Sequence, residues 1–226
     1  MSNARAASPP SAVSAPIPYQ LMEQVRHGII TGRYPPGSAL REQMIEREYG
    51  ASRGPIREAL RLLQLADLVT HEPRRGFRVR EYSPQLITQT YRLRALLERH
   101  GVESLAGRPL APLVRKLRAV NTRMSELHAA RDIAGYLETN GLFHRAILET
   151  ADNEPLQRSL ATLNETAQPI RYALLARQFD RSQAIVDHDL ITRLIESGDL
   201  EVAAAAMERH VLRHMVAASQ VFDKKL

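Results

Sequence analysis

The chain has 226 residues, 44% of them hydrophobic, and a formal charge of +6; that is enough for one large domain or two small ones with a real core. The absence of cysteine excludes disulfides, thiolate metal centres and cysteine nucleophiles and suits a reducing cytoplasm, and no apolar run approaches bilayer-spanning length, so no membrane partner is expected. The basic excess is local: residues 19–80 hold eleven Arg or Lys against seven Asp or Glu, and residues 83–226 nineteen against seventeen, as expected where a small N-terminal part meets phosphate.

Residues 1–18 are mostly Ala, Ser and Pro. They cannot offset the entropy of ordering and are expected to form a disordered arm; Met1-Ser2-Asn3-Ala4 reads as a cloning remnant. From Tyr19 to Thr31, Leu21, Val25 and Ile29 are helix-spaced and Gly32 ends the element. Pro35-Pro36-Gly37 is a turn. A second helix is expected from about Arg41 to Tyr49, stopped by Gly50.

The next stretch, Ser52-Arg53-Gly54-Pro55-Ile56-Arg57-Glu58-Ala59-Leu60-Arg61, predicts a short helix capped by Ser52 with Pro55 in its first turn. Arg53, Arg57 and Arg61 recur every four residues on one face, and Ile56, Leu60 and Leu63 form the opposite, buried stripe. Two helices across a tight glycine turn make a helix-turn-helix. Val69 to Glu72, a Pro73-Arg74-Arg75-Gly76 turn and Phe77 to Arg80 then predict a hairpin, the wing, with Phe77 and Val79 inward and Arg78 and Arg80 outward. Beyond Ser83 only helical periodicity remains, with breaks near Gly107-Arg108-Pro109, Ala130-Arg131-Asp132, Asp152-Asn153-Glu154-Pro155, Asp180-Arg181 and Ser197-Gly198-Asp199. These delimit about six helices with short connections, an antiparallel bundle in which Pro169 should bend the fourth. The expected fold is mainly α, with a winged helix-turn-helix at 19–82 and an all-helical domain at 83–226.

Residues 19–82 resemble the winged helix of GntR-type bacterial transcription regulators through Gly32, Pro36-Gly37, Leu40, Glu42, the run Ser52 to Leu60 and the Arg75-Gly76 wing tip. Residues 83–226 resemble the helical FCD effector domain of the FadR branch, at the length of its VanR-like subgroup. The resemblance implies that Arg53 and Arg57 contact DNA, with Ser52, Gly54, Arg75 and Gly76 seating the phosphate backbone and the wing. Gln43 stands where relatives carry a DNA-contacting arginine, and Glu46 replaces a customary small residue, so the operator sequence is not transferable. The chemistry agrees, since arginine binds guanine O6 and N7 bidentately and a helix N-terminus favours phosphate.

In the helical part, Asn140 and His144 lie four residues apart on one helix face, Asp187-His188-Asp189 begins a later helix, and His210 sits on the last. Many relatives carry Asp-x-x-x-His plus two later histidines at these places and hold a divalent metal there. The resemblance therefore implies zinc or nickel on Asn140, His144, His188 and His210, with an amide oxygen as a weaker first ligand; hydrogen-bonded core histidines are the alternative. His214, one turn on, is a competing ligand or a surface residue. Arg94 matches a position that often faces the pocket and holds an organic acid, or it pairs with Glu98 one turn later. Asn164, Gln168 and Arg171 share a stripe that either contacts the ligand or is solvated.

The sequence thus leads to a cytoplasmic, non-enzymatic repressor, a homodimer on a pseudo-palindromic double-stranded operator, controlled by a small carboxylate effector bound in the bundle. The rival readings are a regulator that senses the metal itself and a metal-dependent hydrolase fused to a DNA-binding module. Against the hydrolase, no general base is evident beside the three histidines.

Overall fold

The computed structural model describes residues 17–177, 182–215 and 218–219. Residues 1–16 of the expected arm and the expected break at Asp180-Arg181 lie outside the described residues.

The first helix, α1 (Ile17–Ile30), opens earlier than the sequence suggests. Ile17 and Pro18, assigned to the arm, form its first turn, where a proline needs no N–H and its fixed φ suits the helix. Leu21, Val25 and Ile29 are buried on one stripe. After a short strand, β1 (Ala39–Leu40), come α2 (Glu42–Tyr49) and α3 (Arg53–Leu65). The corner between them needs the left-handed conformation of Gly50, at φ 67°. Ile56, Leu60 and Leu63 of α3 are buried as predicted, Ala59 is buried beside them, and they meet α1, Ile45 and Val79 in a small core. Ser52 occupies the N-cap position, but its hydroxyl makes no capping bond. The expected cap is absent, and the first-turn amides of α3 keep their capacity for an outside acceptor.

The wing is β2 (Val69–Glu72) against β3 (Gly76–Val79), antiparallel with Val69 opposite Val79 and Glu72 opposite Gly76. Its turn uses left-handed Arg74 and Gly76, at φ 66° and 79°. β1 adds to the other edge of β3, giving the order β1-β3-β2, so the expected hairpin is a three-stranded sheet. Two residues carry no periodicity, and β1 becomes a strand only through pairing with β3. Val79 is buried and Phe77 half-buried, its ring 4.7 Å from that of His71. Arg80 departs from the outward placement expected of it, folding back to pair with Asp67.

The remaining described helices are α4 (Pro84–Glu103), α5 (Leu110–Ala129), α6 (Ile133–Ala151), α7 (Glu154–Arg177), α8 (Ser182–Ser197) and α9 (Leu200–Arg213). Their ends obey local chemistry. Ser83 and Asp132 accept bonds from Leu86 N and Gly135 N, capping α4 and α6, while Asp152 turns left-handed at φ 55° to end α6. Pro169 lies inside α7. The main core joins α4, α5, α6, α8 and α9 through Ile87, Leu117, Phe143, Ile147, Ile191 and Met207, none more than 1% exposed.

One contact line joins the two parts. Arg26 of α1 donates from Nε and Nη2 to the two carboxylate oxygens of Glu165 on α7, at 2.7 and 2.8 Å. Nearby, Thr166 Oγ1 lies 3.4 Å from Asp67 Oδ2.

Candidate functional sites

Arg53, Arg57 and Arg61 stand exposed on the outer face of α3, and Gln43 is exposed on α2. A Cβ placed on Gly54 would meet nothing within 4 Å, so the N-terminus of α3 is open to close approach by a phosphate. Arg57 is not idle in the free protein: its Nε donates to Glu42 of α2 at 2.7 Å. At the wing tip, Arg75 is exposed and lies 3.5 Å from Glu72. Glu42, Arg57, Arg61, Gln64, His71 and Phe77 line a hollow between α3 and the wing.

The second site is buried in the bundle. α6 brings Asn140 and His144, α8 brings His188 and α9 brings His210; these four are at most 5% exposed. One ring nitrogen from each histidine lies within 4.8 Å of the other two. Asp187-His188 does not open its helix as expected, because α8 already starts at Ser182.

Two carboxylates that the sequence reading did not assign to this site orient the rings. His144 Nδ1 lies 3.1 Å from Glu98 Oε2, and His210 Nδ1 lies 3.3 Å from Asp187 Oδ2. Burial alone would raise both carboxylates, yet His144 and Arg94 hold Glu98 at about 2, and His210, Gln183 and Arg213 hold Asp187 at about 2. Both are therefore ionised acceptors, and the imidazole Nδ1 atoms carry the protons. Burial drives His188 well below its ordinary value and His210 to about 4, aided by the neighbouring imidazoles, so these rings are neutral at neutral pH. His210 Nε2 is then an acceptor, and His188 Nε2, 3.1 Å away, donates to it. Phe143 stacks on the His188 ring with centroids 3.7 Å apart.

Tyr91, Arg94, Asn140, His144, Arg171 and His210 line a cavity of about 50 Å3 beside this cluster, with room for a few waters. Among the described residues, Tyr91 OH, Arg94 Nε and Asn140 Nδ2 are buried without a hydrogen-bond partner. Arg94 satisfies both readings of its position: it faces the cavity and lies 3.5 Å from Glu98. Arg171 has no ion-pair partner among the described residues; burial and the adjacent Arg94 lower it to about 10, leaving it cationic at neutral pH. His214 also lines the cavity but lies outside the histidine cluster. Asn164 is elsewhere. It lines a larger groove between α1, α6 and α7, which exists only because the winged helix docks on the bundle.

Glu98 and Asp187 are the nearest candidates for a general base, but each is engaged with an imidazole and neither lines the cavity. No described helix is long and apolar enough to cross a membrane. A DNA-reading winged helix joined to a helical bundle with a polar internal cavity defines a ligand-responsive transcription regulator.

Residues 19–79 match the family model of bacterial regulatory proteins of the gntR family, and residues 89–213 that of the FCD domain. The chain is 25% identical over 205 residues to the uncharacterized HTH-type transcriptional regulator YdhC of Bacillus subtilis (strain 168), spanning 88% of each chain. It is 26% identical over 181 residues to the gluconate operon transcriptional repressor of the same strain, spanning 78% of this chain and 74% of that one. The solved structure of E. coli McbR/YncC shares the fold, with a TM-score of 0.77, 19% identity and coverage of 91% of this chain and 98% of that one. The protein belongs to the gntR family of bacterial regulatory proteins, in the FadR-type branch that carries an FCD effector domain. Members of this family are transcriptional regulators that bind DNA operators through the winged helix and small molecules through the FCD domain.

Proposed function

We propose that the protein is a repressor whose operator affinity is set by a small organic acid bound in the bundle cavity at a divalent metal ion. The observation that carries this reading is the cavity wall. His144 and His210 line it and converge with His188 just behind, carboxylates back two of the three imidazoles, and the guanidinium groups of Arg94 and Arg171 face the same space. Carboxylates on the far nitrogens fix the tautomer of metal-binding histidines and raise their basicity. The donor set therefore fits a borderline divalent ion such as zinc or nickel, held by His144, His188 and His210 with the Asn140 amide as a weak fourth donor.

When bound, the ion supplies a Lewis-acid attachment point for the ligand carboxylate. The chain's own groups do the rest. Arg94 and Arg171 supply the positive field that selects an anion, and Tyr91 OH and Asn140 Nδ2 supply buried donors. His188 gives up the proton on Nε2 when that nitrogen becomes a ligand, and its Nδ1, without a partner among the described residues, is the atom able to take one. On the DNA side, Arg53 and Arg57 reach base edges while Ser52, Gly54, Arg75 and Gly76 seat the backbone. A homodimer reads a pseudo-palindrome, and small changes in half-site spacing cost much affinity. The repressor assignment draws on the gluconate operon repressor among its relatives.

Elemental analysis of the purified protein before and after dialysis against a chelator tests the metal. About one removable transition-metal ion per chain is expected; none, even after adding zinc or nickel, would leave the histidines as hydrogen-bonding groups. Operator affinity that responds to the ion alone, with no acid present, would make the ion the signal in place of the acid.

A further inference from the structure

Of the three arginines on the outer face of α3, Arg57 alone has an acidic partner among the described residues. Its Nε donates to Glu42 Oε1 of α2 at 2.7 Å, with 61% of the Arg57 side chain and 26% of the Glu42 side chain exposed. An ion pair so open to water stabilises the fold very little. On a face that meets a polyanion the carboxylate is also unfavourable, because it repels phosphate. Glu42 does open α2, where an acid suits the helix dipole, but that role needs only the charge and not the bond to Arg57.

What the bond does follows from its geometry. With Nε engaged, the guanidinium plane is fixed relative to α2, while Nη1 and Nη2 have no partner among the described residues. Those two nitrogens form a fork that matches guanine O6 and N7. An unheld arginine loses side-chain freedom on reaching a base, and it can equally turn aside to a phosphate. For Arg57 that loss is largely taken before DNA arrives, and turning aside would draw a phosphate oxygen toward the Glu42 carboxylate. Arg61, one turn along, lines the same hollow as Glu42 and Arg57 but has no such partner among the described residues.

We infer that Glu42 is a positioning residue that sets sequence specificity without reading DNA itself: it holds Arg57 for bidentate recognition of a guanine and bars it from the backbone, leaving phosphate to Arg61. This rests on the reading of α3 as the recognition helix with Arg57 on a base edge.

The test is selection from a library of random-sequence DNA duplexes by the full-length protein, sequenced to give the preference at each base pair, with affinity for a scrambled duplex measured across salt concentrations. Arg57→Lys keeps the charge without the fork and so marks the base pair that position 57 reads. Glu42→Gln should lose about tenfold or more in preference at that pair alone. It should also bind the scrambled duplex about threefold more tightly and steepen its salt dependence by about one phosphate contact. Glu42→Asp retains the charge at the start of α2 but is one methylene shorter; it should lose the same preference without the gain on scrambled DNA. Arg61→Ala should weaken both duplexes alike and leave every base preference in place. Each variant should melt close to the parent, since these side chains are exposed or half-buried at the surface. A preference at that pair that survives either Glu42 variant, or a loss spread evenly over all positions, overturns the inference while leaving α3 as the recognition helix. Failure of the parent to enrich any sequence overturns the recognition-helix reading and this inference with it.

Discussion

Replacing Glu98 with Gln removes one charge from the bundle without opening a cavity. In the folded chain the Glu98 carboxylate is 1% exposed, between His144 Nδ1 and the 4% exposed Arg94. Although burial opposes its ionisation, His144 and Arg94 bring it from the ordinary value of 4.5 to about 2. At about 1.4 kcal/mol for each tenfold change in proton affinity, that lowering corresponds to roughly 3 kcal/mol of stability. An independent estimate agrees, since removing one partner of a buried ion pair costs about 3–5 kcal/mol by stranding the other charge. The sign follows from the direction of the shift: the contribution is complete above about pH 4.5 and is lost as pH falls through about 2. Urea unfolding followed by circular dichroism should therefore show Glu98→Gln destabilised by about 3 kcal/mol at pH 7, with the deficit shrinking below pH 4.5. Adding Arg94→Met should recover part of the loss, because no guanidinium is then stranded. A deficit under about 1 kcal/mol at pH 7, or one that does not change with pH, would refute the reasoning.

Three further outcomes are expected. Arg53→Ala and Arg57→Ala should each abolish specific operator binding in a gel shift while leaving the melting temperature nearly unchanged, since both side chains are exposed; specific binding retained by either variant contradicts the recognition-helix assignment. Asn140→Asp should raise metal affinity by about tenfold or more, a carboxylate being the stronger donor to a divalent ion, as read by competition with a chromogenic chelator; no change would mean that position 140 does not reach the ion. Ile56→Ala, in a side chain that is 0% exposed beneath the arginine face, should cost about 2–5 kcal/mol in urea unfolding, and a cost below about 1 kcal/mol would show that α3 is not anchored through that stripe.

The sequence makes some of this legible and hides the rest for physical reasons. α3 is readable because cap position, proline, arginine face and apolar stripe all state the same helix, and the glycine at position 50 marks the corner. The three histidines stand out only against relatives, since periodicity cannot say that α6, α8 and α9 converge. Glu98 is visible as the i+4 partner of Arg94, but its bond to His144 crosses 46 positions, and nothing local announces it. Asp187 stands next to His188 in sequence yet serves His210, because neighbours on a helix point about 100° apart. Asn164 shares a stripe with Arg171, as read, but the groove it faces is made by docking between domains. The same docking hides the return of Arg80 to Asp67, beside Thr166 of α7.

Pro169 carries a consequence for the mechanics of α7. It stands between Arg171, at the ligand cavity, and Glu165, which grips Arg26 of the winged helix. A proline has no N–H to give the carbonyl four residues earlier, and that carbonyl belongs to Glu165. The rod thus lacks one backbone hydrogen bond at the residue that holds the other domain, so bending its ligand end there costs less than in an unbroken helix, and any such bend acts directly on the ion pair on which the DNA-reading domain rests.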